Sequence, residues 1–245
     1  VARMAKLLGW AGALVTAGAA VAALVSGAGY EHGFWDYRTG FAILRWSVYT
    51  AAGAGAVALV GCALGIASRR YRIALVAAAG VAVAAALILP SAELQRRAEQ
   101  VPRIHDITTD TQDPPQFVSL LAVRQKSPNG PEYGGEAIAR AQKAAYPDIQ
   151  PRTIDDALPQ AYARALAAAR NMGWEIVATA PDEGRIEATA TTRWFRFKDD
   201  VVIRVTPRSV GSRIDVRSKS RVGRSDLGTN AKRIRAYFQA LDATR

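Results

Sequence analysis

The sequence predicts a membrane α-helical segment of three transmembrane helices joined to a soluble α+β domain. That domain is expected to be an antiparallel four-stranded sheet packed with two main helices. Three observations predict it. Ala, Val, Leu and Gly crowd residues 1–90 into three long apolar runs. Residues 153–241 show helical periodicity, then period-two alternation, then helical periodicity again. Charge divides the same way: residues 1–90 hold seven Lys/Arg and two acids, a net +5 set beside the apolar runs, and the remaining +6 of the total +11 falls on residues 91–245. Basic residues flanking apolar runs set membrane orientation, so the high isoelectric point is not read as nucleic-acid binding.

The first run is Leu7–Val25, the second Phe41–Ala67, broken only by Arg45, and the third Ile73–Leu89, closed by Pro90. A bilayer core of about 30 Å needs about 17–25 apolar residues in a helix, and each run qualifies. A cleaved signal peptide is the rival reading of the first run, and the two further runs weigh against it. Arg3 and Lys6 before the first run, and Ser68-Arg69-Arg70-Tyr71-Arg72 between the second and third, are expected on the cytoplasmic side. The Glu31–Gly40 loop then lies outside. Three spans carry the C-terminal domain outside as well, into the periplasm if the cell is Gram-negative. The expected location is therefore the bacterial inner (plasma) membrane, with the lipid bilayer as a partner.

Gly61-Cys62-Ala63-Leu64-Gly65 is a GxxxG motif, and Gly53, Gly55, Gly80 and Ala84 add small surfaces. Small residues let helix backbones approach in lipid. They serve either packing among the three helices or docking of another membrane protein. Arg45 lies about one turn inside the second run, where its stem can snorkel to the headgroups. Trp35 and Trp46, with Tyr30, Phe34, Tyr37, Phe41 and Tyr49, form an interfacial aromatic belt or, alternatively, a lipid or quinone-like site using Glu31, His32 or Asp36.

Residues 91–134 read as an extended connector rich in Pro and Asp, with Leu94–Gln100 prolonging the third helix by a polar turn and Ser127-Pro128-Asn129-Gly130-Pro131 as a turn cluster. The periplasmic α+β domain is set at 135–245. Glu136–Ala145 is a short helix. Thr153-Ile154-Asp155-Asp156 has capping-box form, with Asp in place of Glu or Gln. A helix then carries Leu158, Tyr162, Ala165, Leu166 and Ala169 and stops at Asn171-Met172-Gly173. Strands are expected at Trp174–Ala180, Arg185–Phe195, Val201–Thr206 and Arg213–Arg221. In the last, Ile214 and Val216 oppose Asp215, Arg217 and Lys219, the pattern of a half-buried antiparallel sheet with one polar face. Leu227, Ala231, Ile234, Phe238 and Leu241 mark a final helix. The order helix, four strands, helix points to a two-layer α+β sandwich.

The one cysteine, Cys62, rules out an intrachain disulfide and a Cys-based zinc site, and the two histidines lie far apart. His105, Asp106, Asp110 and Asp113 match no known ligand loop; no metal and no cofactor is expected. Ser218–Arg233 is the densest polar run and leads from a strand into a helix. Its Arg221, Arg224, Ser225, Asn230 and Arg233 are candidate ligands for an anion, an anionic lipid headgroup among them, at a helix N-terminus. The alternative is a structural network in which Asp226 caps the helix and the arginines pair with Asp199, Asp200 or Glu187. Gly223–Gly228 lacks the spacing and sheet context of a nucleophile elbow, and no Walker A, dinucleotide fingerprint or HExxH is found.

Ile104-His105-Asp106-Ile107-Thr108-Thr109-Asp110, Gly184-Arg185-Ile186-Glu187-Ala188, Phe197-Lys198-Asp199-Asp200-Val201 and Ser220-Arg221-Val222-Gly223-Arg224-Ser225-Asp226-Leu227-Gly228-x-Asn230 occur in this order. Together they resemble the domain-of-unknown-function 1499 family over about residues 101–243. The apolar half resembles the three-helix leader of some bacterial members. The resemblance implies no settled activity and carries no catalytic residues. The expected function is a membrane-anchored periplasmic binding or accessory-subunit module, with other membrane or periplasmic proteins as partners. The alternative is an enzyme acting on an envelope lipid or glycan through Asp199, Asp200 or Asp226.

Overall fold

The structure, a computed structural model, describes residues 1–244. It resolves into two compact units. The first is Val1–Arg97 together with Trp194–Arg196, and the second takes Ala98–Arg193 and the described chain from Phe197 onward.

The first unit contains helices α1 (Ala2–Glu31), α2 (Tyr37–Ala67) and α3 (Tyr71–Gln100), each long and apolar enough to cross a membrane. Asp36 caps α2, its carboxylate accepting the Thr39 N–H at 2.7 Å. Small residues set the packing. A Cβ added at Gly61 would lie 2.5 Å from the Gly9 nitrogen, one at Gly12 2.6 Å from the Ala58 nitrogen, and one at Gly80 2.8 Å from the Ala13 Cα. Gly65 faces Ala74 in the same way. The GxxxG glycines are thus spent within the three-helix unit. Pro90 does not close α3. The helix continues through it to Gln100, losing at most the one hydrogen bond a proline cannot donate.

The second unit is built on an antiparallel sheet of six strands, where the sequence led us to expect four. The strands are β1 (Asp106–Thr108), β2 (Arg152–Ile154), β3 (Glu175–Ala180), β4 (Arg185–Thr191), β5 (Lys198–Pro207) and β6 (Ser212–Ser220), in the spatial order β1-β6-β5-β4-β3. The two additional strands have three residues each and lie along the same edge of β6. β2 pairs with its beginning, Arg152 opposite Ile214, and β1 with its end, Asp106 opposite Lys219. Three residues are too few to show alternation, so neither was visible in the sequence.

One face of the sheet carries Ile186, Ala188, Val201, Ile203, Ile214 and Val216, all fully buried. Helices α6 (Leu158–Asn171) and α7 (Thr229–Ala243) cover it. Trp174 stacks on Tyr237 at 5.4 Å, and the Tyr237 hydroxyl donates to the Ala165 carbonyl. The expected capping box is absent. Thr153 belongs to β2, and α6 begins after Ala157 with Pro159 in its first turn, where a missing N–H costs nothing. Gly173, at φ +69°, ends α6 as expected.

The opposite face is polar in sequence but is not exposed. Short helices α4 (Leu121–Gln125) and α5 (Gly135–Ala145) lie in the stretch between β1 and β2. Phe117 and Leu120, just ahead of α4, form a second small core with Val202 of β5. Asp215, Arg217 and Lys219, which alternation placed on a solvated face, are 1%, 0% and 4% exposed.

Candidate functional site

The register of the sheet lines up the charges of this covered face. Glu187, Val202 and Arg217 are cross-strand neighbours, as are Thr189, Asp200, Lys219 and Asp106. Side chains directly opposite on one face interact, so the second row places two carboxylates around one ammonium.

Asp106 is chelated. Arg217 reaches it through Nε at 2.9 Å and Nη2 at 2.8 Å, and Lys219 Nζ lies 3.1 Å away. Arg217 has further acceptors in the carbonyls of Pro115 and Pro131, and Lys219 also donates to the Glu132 carbonyl. Burial pushes the Lys219 pKa down while Asp106 opposes that. Tyr133 sits against the Arg217 guanidinium at 5.6 Å; burial, reinforced by Asp106, pushes its hydroxyl up to about 12.

Asp200 accepts from Arg124 Nη1 at 3.0 Å, from Arg221 Nε at 3.0 Å and Nη2 at 2.8 Å, and from Thr189 Oγ1 at 2.9 Å. Arg124 also donates to the carbonyls of Lys219, Ser220, Asn129 and Gly130. The Phe117 ring lies 4.9 Å from the Arg124 guanidinium carbon and 5.0 Å from that of Arg217. Aromatic contact with a cation offsets part of its desolvation. Asn129, in the expected turn cluster, donates through Nδ2 to the carbonyls of Ser220 and Gly223.

Glu187 is fully buried and accepts three successive backbone N–H groups, from Val118, Ser119 and Leu120 at 2.9–3.0 Å, while Arg185, at the start of the same strand, pairs with it. The carboxylate takes the place an anion would occupy in a backbone nest and fastens the covering segment to β4.

The Ser218–Arg233 run folds inward. Arg233 pairs with Asp199 at 2.5 Å and donates to Ser218 Oγ at 3.0 Å. Asn230 is fully buried; it accepts from Ser218 Oγ and donates to Ser220 Oγ and to the His105 carbonyl. Asp226 accepts the N–H groups of Gly228 at 2.8 Å and Asn230 at 2.9 Å, and burial raises its pKa. Ser225 Oγ accepts the Leu227 N–H, and Arg224 is exposed. The structure does not bring the five candidates to one place: Arg221 pairs with Asp200 on the covered face, Arg233 and Asn230 join Asp199, Ser218 and Ser220 on the face under α7, and Ser225 and Arg224 lie in the loop before the helix. The helix N-terminus offered to an anion already holds the Asp226 carboxylate. Asp199, Asp200 and Asp226 each have internal partners, and the arginine beside Glu187 is Arg185.

His105 lies beside this network. Its Nδ1 is buried with no hydrogen-bond partner among the described residues, and burial, followed by the charge of Lys219, lowers its pKa. Among the described residues no group of three or more His, Cys, Asp or Glu could hold a metal ion. In the three-helix unit, the Trp35 indole donates to the Ser26 carbonyl at 2.9 Å, while Arg45 and Trp46 are exposed.

Sequence reasoning missed Arg124 and Phe117, and it named Glu187 as an arginine partner without foreseeing its three backbone donors. Arg124 carried no signal: its partner is 76 residues away.

Residues 106–241 match the model of a family described as a protein of unknown function (DUF1499), more than half of the chain. The match begins at Asp106 and takes in every strand of the sheet. No curated protein gives a significant match.

Proposed function

The chain belongs to the DUF1499 family, and on that premise we propose that it is a membrane-anchored, non-catalytic module. In this reading α1–α3 span the bacterial inner membrane, and the sheet unit lies on the periplasmic side as a rigid binding surface or accessory subunit for other envelope proteins. The basic residues of the N-terminus and of residues 68–72 support that orientation.

One observation carries the proposal: the acids of the family motifs are neutralised internally. Asp106 is held by Arg217 and Lys219, Asp199 by Arg233, and Asp200 by Arg124 and Arg221. An enzyme using Asp199, Asp200 or Asp226 needs at least one of them facing a substrate cavity with a proton to exchange. Here they are buried in ion pairs or under a helix terminus, where they fix geometry. Buried carboxylates satisfied by charged and hydrogen-bonding partners rigidify the fold around them.

The test is to extract the full chain from its own membranes in mild detergent and identify what co-migrates by mass spectrometry. A stoichiometric protein partner is expected. Turnover of a defined envelope lipid or glycan, abolished by one substitution that leaves the fold intact, overturns the reading.

A further inference from the structure

The turn between β4 and β5 is closed by Thr192 and Phe197. The Thr192 N–H donates to the Phe197 carbonyl at 2.9 Å, and the Phe197 N–H donates to Thr192 Oγ1 at 2.8 Å. Alternation in the sequence runs the strand on to Phe195, but the ladder with β5 ends at Thr191. The tip of the turn, Trp194–Arg196, belongs to the three-helix unit.

Within that unit the tip fits against the C-terminal end of α1 and the N-terminal end of α2. A Cβ added at Gly27 would lie 2.6 Å from both the Cδ1 and the carbonyl oxygen of Trp194, and one at Gly40 2.9 Å from Phe195 Cε1. Glycine is therefore required at both positions by the tip. Phe195 is buried, its ring 4.7 Å from that of Phe41. Arg196 takes φ +53°, uncommon for a residue with a side chain, and pairs with Glu31 at 3.1 Å. Trp194 itself is left 49% exposed.

The two helices give the depth of the tip independently. With α1 (Ala2–Glu31) centred in a bilayer, Gly27 lies about 16 Å from the midplane at the helical rise. With α2 (Tyr37–Ala67) centred, Gly40 lies about 18 Å from it. The hydrocarbon core ends about 15 Å from the midplane and the headgroup layer about 20–22 Å from it. Both helices thus place the tip in the headgroup layer.

We infer that Trp194 is a membrane-interface anchor whose indole lies among the phospholipid headgroups, so that a turn of the sheet sequence, and not the three helices alone, engages lipid. Tryptophan suits that layer because its ring is apolar while its N–H keeps a polar partner within reach. The inference rests on the proposal that the three helices lie in the bilayer, and the experiment separates the two.

The full chain is reconstituted into phosphatidylcholine vesicles whose acyl chains carry bromine either near the headgroup or near the methyl end. Tryptophan emission is recorded for the parent, Trp194→Phe and Trp46→Phe, and subtracting each variant from the parent isolates the emission of the residue replaced. Bromine near the headgroup is expected to quench the Trp194 emission more than bromine near the methyl end. Gly27→Leu, whose side chain takes the place of Trp194 against α1, is expected to lose that preference, read as the difference between Gly27→Leu with and without Trp194→Phe. Trp194 emission that neither bromine position quenches, or that the deep position quenches more, overturns the inference while quenched Trp46 emission keeps the membrane reading. Emission from both residues that no bromine quenches overturns both.

Discussion

Arg124 and Asp200 meet at 3.0 Å with both side chains fully withdrawn from solvent, and Arg124 carries the charge of the covering segment down onto the middle of the sheet. Removing one partner of a buried pair leaves an uncompensated charge, at a cost of about 3–5 kcal/mol. Arg221 remains on Asp200, so Arg124→Met is expected at the lower end, about 3 kcal/mol. Denaturant unfolding of the full chain in detergent, followed by near-ultraviolet circular dichroism, measures it. A loss below about 0.5 kcal/mol, the scale of surface substitutions, contradicts the role given to Arg124.

Glu187 makes a different prediction, because its partners are backbone groups. Glu187→Gln keeps the shape but presents an amide NH2 to N–H groups that need an acceptor. Destabilisation of about 1–3 kcal/mol is expected. Hydrogen exchange is the sharper readout: protection at Val118, Ser119 and Leu120 falls first. Unchanged exchange at these three amides removes Glu187 as the fastening of the covering segment.

Burial and the Lys219 charge lower the pKa of His105 from its ordinary 6.5 in the fold. Between the folded value and 6.5 the unfolded chain binds more protons, so stability rises with pH across that window and is lost as pH falls through it. Asp106 and Asp226 oppose the shift from their own positions. Acidification from pH 7 is therefore expected to lower the unfolding midpoint of the sheet unit, and His105→Phe, which cannot take up the proton, to lessen that fall. Parallel pH profiles for parent and variant count against it.

Gly61 and Gly53 lie on one helix and predict opposite outcomes. A methyl at Gly61 meets the α1 backbone at 2.5 Å, whereas one at Gly53 meets nothing within 4 Å. Gly61→Ala is expected to cost about 1–3 kcal/mol by overpacking, and Gly53→Ala to be neutral or stabilising by up to about 1 kcal/mol through helix propensity. Thermal midpoints of the two variants in one detergent decide it; an equal response contradicts the helix packing.

These predictions draw mostly on features that the sequence did not display. The three apolar helices, the four longer strands, α6 and α7 were legible because each repeats a pattern over seven or more residues or, for β3, is bounded by Gly173 and Pro181. β1 and β2 were not, since three residues carry no period. The motif acids and arginines were legible as a group, but not which arginine meets which acid or on which face of the sheet. The covered polar face was hidden for a physical reason. Alternation of Asp215, Arg217 and Lys219 with Ile214 and Val216 reads the same whether water or a layer of backbone carbonyls solvates the charges. Only the fold brings Asp106 to Arg217, 111 residues away.

The central claim is that the motif cluster holds a binding surface in shape and performs no chemistry. The most direct test is the native mass of the assembly extracted from the protein's own membranes, measured for the parent and for Arg124→Met. The account predicts a discrete complex with a stoichiometric protein partner, lost from the variant in step with its loss of folded sheet unit. A lone chain that turns over an envelope lipid or glycan, and that loses turnover in a fully folded Asp200→Asn variant, contradicts it.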